Sequence, residues 1–181
     1  MEHTRRDRFL PSLLTLGIIG VDQLTKAWVV ATIPQGTVHV SFFSDFLWIC
    51  HVRNLAIGFS IGAELPDPLK LIFFIFIPLV LLVLLIIYMI RSHDITRFQR
   101  WMVAGIIGGG LGNIIDRIFR PAGVVDFVSV RVYGLFGFDR WPTFNVADAS
   151  IVVTGILLMI NILFFQKKTQ VTDEEKEIPN E

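Results

Sequence analysis

The sequence predicts an all-α integral membrane protein with four transmembrane helices and a small extracytoplasmic β-sheet. Its 181 residues are 53% hydrophobic and have a mean hydropathy of +0.63, whereas only 18% are charged. A soluble domain carries about 25% charged residues, and its apolar residues recur periodically rather than in long uninterrupted runs. The formal net charge is zero. The chain therefore has no basic field for nucleic acid, and we expect no nucleic-acid partner.

Four apolar segments are close to the length of about 20 residues that a bilayer requires. The first contains Asp22 and Lys26, the second is almost purely Leu, Ile, Phe and Val, and the third is rich in glycine. We place the four helices at about residues 9–31, 69–90, 101–118 and 144–165. They form a single membrane domain, residues 1–166. The charged segment that follows, residues 167–181, is expected to be a disordered cytoplasmic tail.

The distribution of basic residues predicts the orientation of these helices. Four spans place both termini and the short loop 91–100 on one side, where nine Lys and Arg residues lie. The loops on the other side, about residues 33–68 and 119–142, hold four. Because Lys and Arg are enriched in cytoplasmic loops, the termini and the short loop are assigned to the cytoplasm. The two longer loops and the polar residues beside them then face outward.

The longer loops contain strand-like segments. Residues 37–43 and 47–53 are rich in Val, Ile, Phe, Trp and Thr, and residues 124–132 alternate loosely between apolar and polar types. Such composition is typical of β-strands. We therefore expect a small sheet that lies on the outer surface of the membrane.

Polar side chains within the spans are candidates for function, because a charge at a helix centre costs roughly 2.5–3.5 kcal/mol on insertion scales. Asp22 and Lys26 are four residues apart on one helical face. They can pair, either as an interfacial anchor or as support for a site. Asn113 and Arg117 share a face of the third helix, with Asp116 beside it. We expect Arg117 to brace an outer loop or a carboxylate.

Glycines precede this polar group in the third helix. The pairs Gly105/Gly109 and Gly108/Gly112 have small-xxx-small spacing, which permits close contact between membrane helices. No Gly-Lys-Ser/Thr follows them, so they do not form a phosphate-binding loop. The spacing predicts helix packing.

Two aspartates border apolar segments, Asp126 in the segment 123–127 and Asp148 in the segment 144–148. Asp148 also fits a capping box with Asn145 as N-cap, and Asp126 alone would fit a turn or a sheet edge. A cap does not account for both residues. Two carboxylates at a membrane border favour a pair that shares one proton and activates water.

Other classes of function fit less well. Residues 58–62 match G-x-S-x-G, which would make Ser60 a nucleophile with His51 as base, but the motif requires a following helix that residues 63–68 break. The four histidines do not form an H-E-x-x-H motif, so the sequence does not indicate a zinc site. The intramembrane charges would suit a proton path, but the absence of an internal repeat argues against a transporter.

Five sequence blocks in order carry a resemblance to a known family: Val21–Lys26, Arg53–Ser60, Gly109–Arg117, Gly123–Phe127 and Phe144–Ile151. With these blocks the chain resembles lipoprotein signal peptidase (signal peptidase II), an aspartyl intramembrane peptidase of bacteria, from the first helix to the fourth. The second block departs from the usual pattern because Ala56 replaces glycine, which affects the loop near Asn54. The tail after Phe165 lies outside the resemblance.

The resemblance implies that Asp126 and Asp148 are the catalytic aspartates. It implies supporting roles for further polar residues, namely Asp22, Lys26, Asn54, Asn113, Arg117 and Asn145. It also implies a diacylglyceryl-prolipoprotein substrate, cut before its lipid-modified cysteine with neither a cofactor nor a metal, and inhibition by globomycin. We expect a monomer surrounded by membrane lipids in the bacterial cytoplasmic (inner) membrane, with the active site at the extracytoplasmic face.

Overall fold

The computed structural model describes residues 8–55 and 65–166. In this part of the chain, four helices are long and apolar enough to cross a membrane: α1, Ser12–Thr32; α2, Asp67–Arg91; α3, Arg97–Phe119; and α4, Val146–Phe165. Three strands form one antiparallel sheet: β1, Val38–Phe42; β2, Leu47–Asn54; and β3, Val124–Val130. The predicted fold class is confirmed. Ser60 and the predicted tail lie outside the described residues.

Helix α3 begins four residues before its predicted start at residue 101. Thr96 and Gln99 form a reciprocal capping box, in which Gln99 N donates to Thr96 Oγ1 at 3.2 Å and Thr96 N donates to Gln99 Oε1 at 2.9 Å. The charged first turn lies outside the apolar run, so hydropathy alone misses it. Arg100, fully buried in this turn, donates through Nη2 to Ser92 O at 3.0 Å and thereby satisfies a carbonyl at the end of α2.

Helix α2 contains a π-helical segment, Ile72–Phe76, which ends two residues before Pro78. Proline has no backbone N–H and its ring collides with the carbonyl four residues earlier. The wider turn accommodates this disruption without ending the helix. Hydropathy predicts the helix but does not predict this local change.

Helix α3 lies at the centre of the bundle. More than half of its apolar span, 56%, is buried, against 11–22% for the other three helices. A Cβ atom added to Gly112 would lie 2.8 Å from Asp22 Oδ2 of α1, and one added to Gly109 would lie 2.7 Å from Ile151 Cγ1 of α4. The prediction that the glycines serve helix packing is therefore confirmed.

The sheet has the order β1-β2-β3, and its last strand packs on the end of α1. Val125 and Phe127 of β3 form an apolar cluster with Val29 and Ile33 of α1. In the register between β2 and β3, Asp126 is opposite Val52. The cluster therefore ties the strand that carries Asp126 to the end of a membrane-spanning helix.

Candidate active site

The candidate site lies where the last turns of α3, the first turn of α4 and strand β3 meet. Asp126 of β3 and Asp148 of α4 line the same cavity, which has a volume of about 220 Å³. Asn54, Asn113 and Arg117 line it as well. Sequence reasoning had selected all five, from four separate blocks of the chain, and the fold brings them to one place.

Asp148 is both a capping residue and a wall of the cavity. Asn145 Oδ1 accepts from Asp148 N at 2.9 Å, and Asp148 Oδ2 accepts from Asn145 N at 3.2 Å, which completes the predicted capping box. The other carboxylate oxygen, Oδ1, accepts from Asn113 Nδ2 at 2.7 Å. The two interpretations of Asp148 are therefore compatible, because each uses a different oxygen of the carboxylate.

Asp126 is only 2% exposed and is held on both oxygens. Asn145 Nδ2 donates to its Oδ1 at 2.7 Å, and Asn54 Nδ2 donates to its Oδ2 at 3.1 Å. Burial, reinforced by the negative charge of Asp148, raises the pKa of Asp126 to about 7, although the two amide hydrogen bonds act in the opposite direction. The carboxyl therefore retains a proton over much of the range in which an ordinary aspartate is ionised.

Gly123 allows Asn54 to reach this position. Its φ is +96°, and a Cβ atom there would lie 2.6 Å from the carbonyl oxygen of Asn54. Only glycine fits both the left-handed backbone and this close approach. The structure therefore explains why glycine stands at position 123: it lets the end of β2 lie beside the start of β3.

Asn113 connects the two aspartates through Asn145. The Oδ1 of Asn113 accepts from Asn145 Nδ2 at 3.1 Å and from Lys26 Nζ at 3.1 Å. Because an ammonium group can only donate, Lys26 fixes which end of the Asn113 amide is the acceptor. The Nδ2 group of Asn113 is thereby directed to Asp148.

A buried group of charges lies beneath the site. The side chains of Lys26, Asp22 and Asp116 have no exposed surface, and Lys26 Nζ is 2.8 Å from Asp22 Oδ2 and 3.1 Å from Asp116 Oδ2. The predicted pairing of Asp22 with Lys26 is confirmed. Arg120 and Gln23 complete the group by donating to Asp116 Oδ1.

Both carboxylates of this group hold the backbone beside a candidate catalytic residue. Asp22 Oδ1 accepts from the N–H of Ala147 at 3.0 Å, and Asp116 Oδ2 accepts from the N–H of Val125 at 3.0 Å. Ala147 precedes Asp148 and Val125 precedes Asp126. Sequence reasoning placed Asp116 beside a polar face but did not include it in the site, and its spacing of three from Asn113 was the available signal.

Arg117 lies on the cavity wall and donates to Asn113 O at 3.4 Å. Its guanidinium group lies near the carboxyl groups of Asp148, Asp126 and Asp116. That Arg117 braces an outer loop or a carboxylate stays a prediction.

His51, the base of the alternative serine mechanism, is buried on β2 and its Nδ1 lies 2.7 Å from Ile33 O. It does not line the cavity of the two aspartates. Within residues 8–55 and 65–166, no group of three or more His, Cys, Asp and Glu side chains is arranged to hold a metal ion.

Comparison with known proteins identifies one family and several relatives with the same description. Residues 14–164 match the family described as signal peptidase (SPase) II. The chain is 40% identical over 164 residues to the lipoprotein signal peptidase of Treponema pallidum (strain Nichols), a match that covers 91% of this chain and 88% of the relative. It is 44% identical over 165 residues to that of Borrelia hermsii (strain HS1 / DAH), covering 91% and 96%.

Two solved structures share the fold, both described as bacterial membrane enzymes studied by the in meso method. The first, at 1.9 Å resolution, has a TM-score of 0.72 and 29% sequence identity, and the match covers 86% of this chain and 94% of that one. The second, at 2.3 Å, has a TM-score of 0.70 and 27% identity, and the match covers 95% and 93%.

Proposed function

The chain belongs to the signal peptidase II family, and from this premise we propose that it is an aspartic endopeptidase of bacterial prolipoproteins. Family membership supports removal of a prolipoprotein signal peptide. The aspartic mechanism and a cut just before the diacylglyceryl-modified cysteine are the proposal. The observation that carries it is the placement of Asp126 and Asp148 on one cavity, joined through the amides of Asn113 and Asn145.

The two carboxylates have different surroundings. Asp126 is buried on a strand, which favours its neutral form. Asp148 lies in the first turn of α4, where its carboxylate accepts from the N–H of Asn145 and from Nδ2 of Asn113. We assign the shared proton to Asp126 in the resting pair.

The proposed reaction uses this difference. Asp148 removes a proton from water, whose oxygen attacks the scissile carbonyl carbon, while Asp126 donates its proton to the carbonyl oxygen. The tetrahedral intermediate collapses when the C–N bond breaks and the leaving nitrogen receives the proton that Asp148 took from water. The carbonyl double bond re-forms as Asp126 regains its proton. Neither a covalent intermediate nor a metal is part of this scheme.

The location of the cavity suits a lipid-modified substrate. The acyl chains of such a substrate remain in the bilayer, so its scissile bond lies at the border between membrane and water. The cavity lies at the ends of α3 and α4, beside the sheet. The excess of basic residues near the opposite helix ends supports an extracytoplasmic position in the bacterial inner membrane. Inhibition by globomycin and a monomeric state are further parts of the proposal.

The test is cleavage of a diacylglyceryl-modified prolipoprotein by the purified enzyme and its Asp126→Asn and Asp148→Asn variants. Each variant should lose roughly 10²–10⁴-fold in kcat, because each lacks one partner in proton transfer. Asp139→Asn, at an aspartate with a 66% exposed side chain, is the matched control and should cleave normally. Ser60→Ala should also remain active. Cleavage near the wild-type rate by either dyad variant would contradict the aspartic mechanism.

A further inference from the structure

A second cavity, of about 370 Å³, shares Asn54 and Arg117 with the first but contains neither aspartate. Its walls come from the first turns of α2, from the end of α3 and from the turn before β3. Lys70, Arg117 and Arg120 line it, and Asp67 is the one acidic side chain among the described lining residues. The mechanism proposed above uses only the shared wall of this cavity.

Asp67 neutralises little of the positive charge in this cavity. Asp67 Oδ1 lies 3.8 Å from Lys70 Nζ, and the Asp67 side chain is 99% exposed, so the pair is weak and screened by solvent. Arg120 is paired with Asp116, and Arg117 interacts with the two aspartates of the site. Lys70 therefore contributes a positive charge that residues 8–55 and 65–166 leave largely unbalanced.

Arg53 adds a second such charge beside the cavity. Its Nη1 donates to the carbonyl oxygen of Gly123, a lining residue, at 3.3 Å. Its Nε is buried and has no hydrogen-bond acceptor within the described residues. Burial and the nearby positive charge of Arg120 lower the pKa of Arg53, while the negative charge of Asp116 acts in the opposite direction. An anion beside Arg53 would supply the acceptor that its Nε lacks among the described residues.

One part of the cavity wall is apolar and continues along a membrane-spanning helix. Leu71, Phe74 and Ile75 of α2 line the cavity. On the same part of α2, Leu71 and Phe76 are 58% and 61% exposed. A ligand with a negatively charged end and an apolar chain would match both the basic part and the apolar part of this surface. A free phosphate ion would contact only the basic part.

We propose that this cavity binds the phosphodiester head group of an anionic membrane lipid, with the acyl chains lying along α2. Guanidinium and ammonium groups recognise phosphate oxygens through charge-assisted hydrogen bonds. Basic pockets between membrane helices are suited to such head groups. The proposal does not depend on the peptidase mechanism, because its ligand and its readout are separate from cleavage.

The test is native mass spectrometry of the purified full chain, with equal amounts of phosphatidylglycerol, phosphatidylcholine and diacylglycerol that have identical acyl chains. We expect preferential retention of phosphatidylglycerol. Lys70→Gln and Arg53→Gln should each reduce its excess over phosphatidylcholine by about tenfold, since each removes a charged contact to phosphate. Lys70→Arg should keep the preference. Arg131→Gln is the matched control, because Arg131 and its ion-pair partners Asp45 and Asp139 all lie outside the cavity lining.

Equal retention of the three lipids, or a preference that both glutamine variants keep, would overturn the proposal. Displacement of bound phosphatidylglycerol by millimolar inorganic phosphate would support a head group at this site. Retention of inorganic phosphate without any preference among the three lipids would show a simple phosphate site and overturn the proposal. Thermal unfolding identifies any variant that fails to fold. Lys70, whose side chain is 28% exposed and weakly paired, can be replaced with little risk to the fold, so this variant keeps the test decisive.

Discussion

At the scale of single residues, the site depends on amide groups whose orientation is fixed by a buried cation. Lys26 makes Oδ1 of Asn113 an acceptor, and Asn113 therefore donates to Asp148. Asn145 donates to Asp126 and accepts from the N–H of Asp148. Each carboxylate is thus held in one orientation by donors, which is the preorganisation that proton transfer requires.

The raised pKa of Asp126 predicts how activity depends on pH. Its pKa of about 7 lies above the ordinary value of 3.8, so the proton is present below pH 7 and is lost above it. Because Asp126 donates that proton in the proposed mechanism, kcat/KM should fall about tenfold for each pH unit above 7. The measurement is cleavage of lipidated substrate between pH 5 and 9. A return to pH 6 should restore activity, and a constant rate up to pH 9 would contradict the assignment.

Asp116 is predicted to be a positioning residue, since it acts on Asp126 through the N–H of Val125. Asp116→Asn should lower kcat by roughly ten- to hundredfold and leave KM nearly unchanged, because a hydrogen bond to a charged group is lost. The melting temperature should fall as well, since Lys26 loses a buried partner. Asp94→Asn, at an exposed aspartate, is the control. A lower melting temperature with unchanged kcat would show a purely structural role.

Part of this site follows from sequence alone. The spacing of Asp22 and Lys26, and that of Asn145 and Asp148, are local patterns with a local physical meaning. The contacts of Asp22 with Ala147 and of Asp116 with Val125 join different elements of the fold. No periodicity in the chain predicts them, because they depend on how the helices and the sheet pack.

At the scale of elements, the glycines of α3 determine how closely α4 approaches the site. A Cβ atom at Gly109 would collide with the carbonyl oxygen of Ala147, which belongs to the backbone immediately before Asp148. A backbone atom cannot move away without shifting the first turn of α4. The packing of these two helices and the placement of Asp148 are therefore a single structural feature.

Gly109→Ala should consequently reduce both stability and cleavage. We expect a loss of about 1–3 kcal/mol, as for overpacking in a close-packed interior, together with a lower kcat. Gly155→Ala on α4 is the matched control, since a Cβ atom there meets nothing within 4 Å. It should leave stability unchanged or raise it slightly, because alanine favours helix. Denaturation in detergent measures both variants, and equal behaviour of the two would contradict the packing argument.

The helices were predictable as elements but their ends were less so. Long apolar runs indicate four spans, whereas the start of α3 depends on the capping box of Thr96 and Gln99 and on the buried Arg100. These polar residues stand outside any apolar run. The π-helical segment before Pro78 similarly reflects backbone sterics, to which hydropathy is insensitive.

At the scale of the whole molecule, the sheet, the first turn of α4 and the buried charges lie at one end of the helices. Exposed apolar side chains cover the outer surfaces of the spans, with Leu24 of α1 73% exposed and Leu84 of α2 56% exposed. Such surfaces match a lipid environment. The fold therefore provides an apolar body with its polar chemistry concentrated at one border.

The predicted orientation can be measured with single cysteines in a Cys50→Ala background. Asp139→Cys lies in the loop before α4, and Asp94→Cys lies in the loop between α2 and α3. A membrane-impermeant maleimide should label Asp139→Cys in intact cells but Asp94→Cys only after the membrane is permeabilised. The reason is that the basic residues near the loop between α2 and α3 favour a cytoplasmic position for that loop. The reverse pattern would place the site on the cytoplasmic side.

The buried charges also have a consequence for biosynthesis. Lys26 leaves the ribosome long before its partner Asn113, which is 87 residues later in the chain. At 5–20 residues per second, that interval lasts roughly 4–17 s. During this time Asp22, four residues away, is the partner that the emerging helix itself provides. The ion pair of Asp22 and Lys26 therefore lowers the free-energy cost of inserting α1 into the membrane before the later helices are synthesised. The same pair lies beside the candidate site in the folded protein.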